Sequence, residues 1–144
     1  MADSRRHEKP LTVALLDLDH FKKLNDGYGH QAGDKVLCDL TDLISKELRE
    51  HDVLARYGGE EFALILSGTS SADALQLGER LRLLIANTEF FYKEQLLPVT
   101  ISLGLGTFPE DGEDTMTLLR SADKALYRAK EAGRNQVMTS RSST

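Results

Sequence analysis

Four acidic residues stand in two short clusters where neither a buried strand nor a tight turn requires them. The first cluster, DLD, places Asp17 and Asp19 at the carboxyl end of an apolar run. The second, Glu60-Glu61, directly follows two glycines in RYGGEEF. Unpaired carboxylates near a core are costly, and Mg²⁺ typically binds one or two carboxylates together with substrate phosphates and water. The clusters predict a Mg²⁺ site, although each alone is equally compatible with solvated hairpin and turn residues.

A polar segment punctuated by glycines follows the first cluster. Residues 20–34 read HFKKLNDGYGHQAGD and lead into a helical pattern. Their backbone N–H groups can cradle phosphates, as helix N-termini do. Near the other end of the chain, AKEAGRN supplies Lys130 and Arg134, four residues apart. These cations fit either a phosphate clamp or a charge pair favoured by the negative end of a helix dipole.

The bulk composition limits the class of protein. The chain has 144 residues, a formal net charge of −5 and one cysteine, Cys38. This length suits a single domain, and the acidic balance argues against a nucleic-acid polymer as partner while allowing a local cationic pocket. No apolar run reaches the ~20 residues of a membrane span, and no secretory signal is recognisable. Cys38 is expected at the core or its boundary, and these features favour a cytoplasmic location.

Hydrophobic periodicity predicts the elements that must position the acids and the cations. Strands are expected over LTVALLD, DVLARY, EEFALIL, two segments of FFYKEQLLPVTISLGLGTF, and residues 136–139. Amphipathic helices are expected over residues 32–50, 70–87 and 116–132. We expect the second helix to turn Leu75 inward and the third to stop at Gly133. Gly58 and Gly59 indicate a tight hairpin with the positive φ that glycine accepts.

The order of these elements, β-α-β-β-α-β(β)-α-β, predicts an α+β fold. In this α/β sandwich, helices cover a mostly antiparallel sheet with a β-α-β-β-α-β core. Along the strand near residues 99–106, large apolar side chains alternate with small ones, so one face of the strand offers only small groups. The expected boundaries are a disordered or truncated leader over residues 1–10, one domain over 11–139 and a frayed tail over 140–144.

Four motifs in this order resemble the GGDEF family, the catalytic domain of diguanylate cyclases, in its GGEEF form. They are DLDHFKKLND, GYGHQAGD, RYGGEEF and YRAKEAGRN, and the resemblance runs from about residue 13 to 137. It implies a fold similar to nucleotide-cyclase catalytic domains and the polymerase palm, in agreement with the element order. Family members usually carry an N-terminal helix and a DxLTxLxNR-like segment that this sequence lacks. A catalytic fragment of a larger protein is therefore expected.

The resemblance implies a role for each matching residue. Metal binding falls to Asp17, Glu60 and the Leu18 carbonyl, with Asp17 and Glu60 also catalytic. Guanine is read by Asn25 and Asp34, because an acceptor carboxylate facing guanine N1–H and N2–H₂ rejects adenine. The residues implied in contacts with phosphate or the nucleotide backbone are His20, Phe21, Gly58, Gly59, Lys130 and Arg134. Supporting roles fall to Asp19, His30 and Glu61.

The implied reaction joins two molecules of GTP into cyclic di-GMP and two pyrophosphates. The 3′-hydroxyl of one GTP attacks the α-phosphorus of the other with Mg²⁺ as cofactor, for which Mn²⁺ can substitute. The product is two-fold symmetric, so two domains must face each other and a homodimer is expected. The family usually fuses this domain to a sensor or receiver, which this sequence lacks.

A second site is implied just before the double glycine. Arg49 and Asp52 fit an RxxD motif, with five residues between Asp52 and Gly58. This spacing matches the family's product-inhibition site for cyclic di-GMP, where a secondary arginine corresponds to Arg80. The alternative is that Arg49 offsets the negative end of its helix and Asp52 is a turn residue.

Two other functions remain open from the sequence. One is a binding module that holds GTP or cyclic di-GMP without turnover, although such members typically lose the GG[DE]EF or metal acids that are intact in this chain. The other is a nucleotidyl cyclase with another base preference, against which Asp34 in the guanine-reading position argues.

Overall fold

The sheet and helices follow the predicted order with two additions, a short helix in the polar segment after the first strand and a separate hairpin before the long strand near residue 101. The computed structural model describes residues 9–141. The strands are β1 (Leu11–Leu18), β2 (Val53–Arg56), β3 (Glu61–Ser67), β4 (Phe90–Tyr92), β5 (Gln95–Leu97), β6 (Ile101–Phe108) and β7 (Val137–Thr139). The helices are α1 (Phe21–Tyr28), α2 (His30–Glu47), α3 (Ser71–Asn87) and α4 (Thr115–Glu131). Most of the expected leader and the last residues of the expected tail lie outside the described residues.

Five strands form one mixed sheet in the order β2-β3-β1-β6-β7. Every neighbouring pair is antiparallel except β6 and β7, which run parallel. The long strand β1 lies in the centre, and Asp17 near its end is in register with Glu61 on β3 and Ser102 on β6. The α+β prediction with a mostly antiparallel sheet is confirmed. This arrangement carries both acidic clusters to the same end of neighbouring strands.

The two faces of the sheet are covered differently. Helices α1, α2 and α3 pack on one face and enclose the main core, to which β6 contributes Ile101, Leu103 and Leu105. On the other face α4 packs directly against β6 and β1. A Cβ built on Gly104 would lie closer than 3.0 Å to backbone atoms of α4. The small-residue face predicted for this strand therefore allows close approach of the helix.

The hairpin between β2 and β3 is wider than the glycine pair suggested. The last ladder pair joins Arg56 to Phe62, and the N–H groups of Tyr57 and Gly58 both donate to the Glu61 carbonyl, at 2.8 and 3.2 Å. Neither Gly58 nor Gly59 has a positive φ. The prediction of a tight primed turn was wrong, because the chain reverses over a longer loop that leaves Glu60 outside the ladder.

Two predicted burials were also wrong. Leu75 is 38% exposed, because α3 turns Ala74 and Gly78 toward the sheet instead. Cys38 is exposed on α2, between the core residues Leu37 and Leu40 in sequence but on the outer side of the helix.

Ser140 and Arg141 at the end of the described chain are bound to the fold. Both side chains donate to Asp111 Oδ1, Arg141 at 3.1 Å. The frayed tail predicted over residues 140–144 remains a prediction for residues 142–144 only.

Candidate active site

The ends of β1 and β3 bring the two acidic clusters into one pocket. The Leu18 N–H lies 3.4 Å from the carbonyl oxygen of Glu60, the last residue of the loop between β2 and β3. This contact joins that loop to the end of β1. A pocket of about 170 Å³ opens at this point. Its lining residues are Asp17, Leu18, Asp19, His20, Phe21, Lys22, Glu60, Lys130 and Arg134. The structure thus places together eight residues that the sequence singled out, from three separate stretches of the chain, with Lys22 added.

Asp17 is a buried carboxylate with one oxygen unpaired. The residue is 4% exposed, and its Oδ2 forms an ion pair with Lys130 Nζ. Its Oδ1 is buried and has no hydrogen-bond partner among the described residues. Burial raises the pKa of this carboxyl above its ordinary value, while the ammonium of Lys130 acts in the opposite direction. An unpaired buried oxygen of this kind is expensive unless a cation or donor occupies it.

Glu60 adds a second carboxylate to the same pocket. Partial burial raises the pKa of Glu60, and the nearby charge of Asp17 raises it further. Lys130 lowers the pKa of both acids, so it is the cation that the structure supplies to the pair. Two carboxylates in one pocket, of which Asp17 raises the pKa of Glu60, gain from a divalent ion placed between them.

The donor set fits Mg²⁺ if the substrate completes the coordination. Among residues 9–141, no group of three or more His, Cys, Asp or Glu side chains is arranged to hold a metal. The pocket instead offers two hard carboxylates, one with a free oxygen, beside two cations suited to phosphate. Mg²⁺ commonly binds through one or two carboxylates plus substrate phosphates and keeps several waters. The chemistry of the residues present therefore fits this ion.

The amino end of α1 faces this pocket. His20 precedes the helix with a left-handed backbone (φ 57°, ψ 34°), and no side chain caps the first N–H groups of the helix. His20, Phe21 and Lys22 line the pocket. Uncapped amides and the positive end of the helix dipole favour an anion at this place. The structure thus puts an anion-binding helix end beside the two acids.

Of the two residues that the resemblance assigns to guanine, one lines a second pocket. Asp34 lines a pocket of about 330 Å³ on the outer side of α2, together with Leu37, Cys38, Thr41, Asp42 and Arg56. Asn25 does not line it, but its Oδ1 is buried without a hydrogen-bond partner in the described structure. The Asn25 Oδ1 packs so closely against Gly33 that a Cβ at Gly33 would collide with it. Gly33 directly precedes Asp34 in the chain, so this contact places Asn25 near the backbone of Asp34.

Arg56 is a site residue that the sequence reasoning missed. Its Nε donates to the Gly58 carbonyl at 3.2 Å, its Nη2 donates to the Gly59 carbonyl, and its guanidinium lies over the Phe62 ring. Arg56 therefore joins the double-glycine loop to the pocket that Asp34 also lines. The sequence did contain an indication of this role, because RYGGEEF places an arginine two residues before the double glycine.

The protein's own packing gives no reason for two glycines in that loop. Neither residue has a positive φ, and a Cβ on Gly59 would meet nothing within 4 Å. A Cβ on Gly58 would make only ordinary contact with the Glu61 side chain. Both glycines are exposed. The absence of side chains at these positions leaves the backbone of the loop open to close approach from outside.

Among the three residues expected to play supporting roles, Asp19 shows the clearest one. It is buried, and its carboxylate accepts from Thr100 Oγ1 at 2.7 Å, Ser102 Oγ at 2.6 Å and the Asn135 N–H at 2.9 Å. With three donors, this acid has little capacity left for a metal. Glu61 is partly buried at the start of β3, and His30 is exposed at the start of α2.

The three residues predicted for a product site also share a pocket. Arg49, Asp52 and Arg80 line a cavity of about 230 Å³ between the end of α2 and the side of α3. The Arg49 guanidinium contacts both carboxylate oxygens of Asp52 at 3.3 Å. Arg80 Nε donates to Glu47 Oε1 at 3.0 Å. These internal partners hold both arginines beside the cavity.

Comparisons with known proteins point to one family and one fold. A family model described as "Diguanylate cyclase, GGDEF domain" matches residues 1–136. The relative "Diguanylate cyclase DgcP" of Pseudomonas aeruginosa is 46% identical over 136 residues, which are 93% of this chain and 20% of the relative. The structure of an active GGEEF domain of a diguanylate cyclase from Vibrio cholerae is 34% identical, with a TM-score of 0.89 and coverage of 99% of this chain and 90% of that one.

A second solved structure holds a ligand. The GGDEF domain of DgcB from Caulobacter crescentus, in complex with c-di-GMP, is 32% identical with a TM-score of 0.91, covering 98% of this chain and 84% of that one. The chain spans only 20 to 37% of the length of the first curated relatives. No helix within residues 9–141 has the length and hydropathy of a membrane span.

Proposed function

Because this chain belongs to the GGDEF family of diguanylate cyclase domains, we propose that it condenses two molecules of GTP into cyclic di-GMP and two pyrophosphates. The observation that carries the proposal is the pocket shared by Asp17, Glu60, Lys130 and Arg134, with one Asp17 oxygen buried and unpaired. A strand end with a purely structural role would gain nothing from burying an unpaired carboxylate oxygen beside a second acid. The relatives' names support the enzyme class.

Each residue of the pocket has a task in this proposal. Asp17, Glu60 and the Leu18 carbonyl hold Mg²⁺ or Mn²⁺, which when bound lowers the pKa of the attacking 3′-hydroxyl and neutralises charge on the α-phosphate. Lys130, which pairs with Asp17 in the structure, and Arg134 would bind the terminal phosphates, Arg134 in a bidentate manner. Glu60 is also a candidate acceptor for the hydroxyl proton.

Phosphates and base occupy different ends of the site. The backbone N–H groups around His20 and Phe21, which no side chain caps, bind the phosphates. The backbone of Gly58 and Gly59, which carries no side chains, lies against the nucleotide.

Guanine selectivity rests on Asp34 in the proposal, with Asn25 reading the base from α1. The Asp34→Ala variant is expected to weaken GTP binding by about 10- to 100-fold or more, since the loss of even one charge-assisted hydrogen bond costs roughly 1.5–3 kcal/mol. Binding of ATP should not change. Calorimetric titration with both nucleotides measures this. Asp42→Ala removes another acid from the same pocket and serves as the matched control; equal losses in the two variants would contradict the assignment.

The catalyst is a homodimer in this proposal. One domain offers one guanine pocket and one set of acids, whereas ring closure needs two GTP molecules facing each other. Because the relatives are several times longer than this chain, we further propose that a fused sensor or receiver domain controls how two copies meet.

Product inhibition is proposed at the pocket of Arg49, Asp52 and Arg80. There Arg49 would grip phosphate and guanine of cyclic di-GMP while Asp52 accepts from the base. We expect Arg49→Ala to weaken cyclic di-GMP binding by at least about 10-fold, the loss of one charge-assisted contact, with the uninhibited initial rate unchanged. Titration calorimetry with cyclic di-GMP measures the affinity. Lys46→Ala, an exposed cation at the same helix end, is the control, and unchanged affinity in Arg49→Ala would remove this site.

One incubation separates the proposal from its rivals. The chain is mixed with GTP, ATP and Mg²⁺, and the products are resolved by chromatography. Formation of cyclic di-GMP and pyrophosphate is expected. Tight GTP binding without product at any protein concentration would identify a binding module instead, and consumption of ATP would identify a cyclase with another base preference.

A further inference from the structure

The turn that carries Arg134 has a backbone conformation that is costly on its own. Gly133, Arg134 and Asn135 have φ values of 120°, 65° and 50°. The left-handed conformation costs about 1–2 kcal/mol for a residue with a Cβ, so it persists only where the surroundings hold it. The Arg134 N–H donates to the Ala129 carbonyl at 2.9 Å, and its own carbonyl accepts from Gln136 Nε2 at 3.0 Å. Beyond these bonds, the direction in which Arg134 leaves the end of α4 depends on what holds its neighbour, Asn135.

Asn135 is held from two sides. From the sheet, its N–H donates to Asp19 Oδ2 at 2.9 Å and to Ser102 Oγ at 3.1 Å. From α3, Arg82 Nη1 lies 3.4 Å from the Asn135 carbonyl oxygen and 3.3 Å from its Oδ1. Arg82 thus reaches both the backbone and the side chain of the residue that follows Arg134.

Arg82 is itself fixed before it reaches Asn135. Its Nε and Nη2 form two parallel bonds to the Glu79 carboxylate, at 3.2 and 3.0 Å, one turn earlier on α3. Its side chain is only 18% exposed. A planar guanidinium held at two nitrogens has its remaining donors aimed in fixed directions, which a lysine cannot reproduce. The pocket lined by Asp17 and Glu60 does not include Arg82.

We propose that Arg82 is a positioning residue for the phosphate clamp, acting through Asn135 to aim Arg134 at the terminal phosphates of GTP. The inference rests on the proposed function, because it assumes that Arg134 binds those phosphates. Without Arg82, Asn135 retains its bonds to the sheet, and the left-handed turn loses its support on the α3 side. Arg134 then samples more directions and meets the phosphates less often.

Comparing two ligands that differ only in their phosphates tests this. The probes are the α,β-methylene analogue of GTP, in which carbon replaces the oxygen that must leave, and GMP, which lacks the two terminal phosphates. Calorimetric titration in the presence of Mg²⁺ gives both affinities. In Arg82→Ala we expect the analogue to bind about 5- to 10-fold more weakly and GMP to bind as in the parent. Arg82→Lys should recover only part of the loss.

A double-mutant cycle tests whether the loss of analogue affinity in Arg82→Ala depends on Arg134. In an Arg134→Ala background, Arg82→Ala should cause no further loss of analogue affinity, because the group it aims is absent. Arg120→Ala, an exposed arginine on α4, is the control and should leave both affinities unchanged.

The outcomes are distinct. Unchanged analogue affinity in Arg82→Ala, an equal loss for GMP, or full additivity with Arg134→Ala would each overturn the positioning role. Thermal unfolding of each variant is followed in parallel, and a folded Arg82→Lys variant decides the question if Arg82→Ala does not fold. If the parent chain binds neither ligand, the proposed function itself fails and this inference with it.

Discussion

Glu60→Gln is expected to reduce pyrophosphate release from GTP by about 1,000-fold while leaving the fold intact. The amide keeps the shape of the side chain and removes the charge that would hold the metal. Loss of several kcal/mol of charge stabilisation at the α-phosphate corresponds to about three powers of ten in rate. Asp17→Asn should have a similar effect, because its unpaired Oδ1 is the other oxygen available to the ion. A coupled assay of pyrophosphate release measures both.

The control for this pair is Glu131→Gln, an exposed glutamate beside Lys130 in sequence. It changes the net charge by the same amount near the same end of α4 and should leave turnover within about twofold of the parent. Turnover near the parent rate in either Glu60→Gln or Asp17→Asn would show that these acids do not hold a catalytic ion.

Gly104→Ala is expected to destabilise the protein by about 3 kcal/mol. The added Cβ would lie closer than 3.0 Å to the Ala122 carbonyl oxygen and the Leu126 amide nitrogen, both backbone atoms of α4. A helix backbone cannot yield as a flexible side chain does, so α4 must shift away from β6 and loosen its packing. Urea unfolding followed by circular dichroism gives the change in the free energy of unfolding.

Gly27→Ala provides the matched control. Gly27 lies inside α1, and a Cβ there would meet nothing within 4 Å. The substitution should stabilise the protein by up to about 1 kcal/mol, since alanine is the better helix former. A loss below about 1 kcal/mol in Gly104→Ala would mean that α4 does not lie as close to β6 as described.

Local patterns predicted the elements that carry the site. LTVALLD became β1, the second predicted helix became α3 with Ser70 as its cap, and α4 ends before Gly133, which has a positive φ. These features depend on residues close together in sequence, where periodicity and capping chemistry are decisive. The two acidic clusters were also found from local patterns, because one ends the first apolar run and the other follows the double glycine. The pairing of β1 with β3 puts both clusters at the same end of the sheet.

Features that depend on residues far apart in the chain could not be predicted from the sequence. The ion pair of Lys130 with Asp17 joins positions 113 residues apart, and nothing near either residue indicates it. Phe90–Tyr92 and Gln95–Leu97 form a separate two-stranded hairpin, because the strand after them pairs with β1 instead. Leu75 was expected inward from spacing alone, whereas the packing of α3 against the sheet selects Ala74. Tertiary packing decides such cases, and only the fold shows it.

The central claim is that Asp17 and Glu60 share one divalent ion beside the triphosphate. Electron paramagnetic resonance of Mn²⁺, titrated into the chain with the α,β-methylene analogue of GTP present, measures that binding without turnover. The parent should bind Mn²⁺ at least about 10-fold more tightly than Asp17→Asn or Glu60→Gln, and the double variant should be little worse than either single one. Parent-like Mn²⁺ affinity in both single variants would contradict the account.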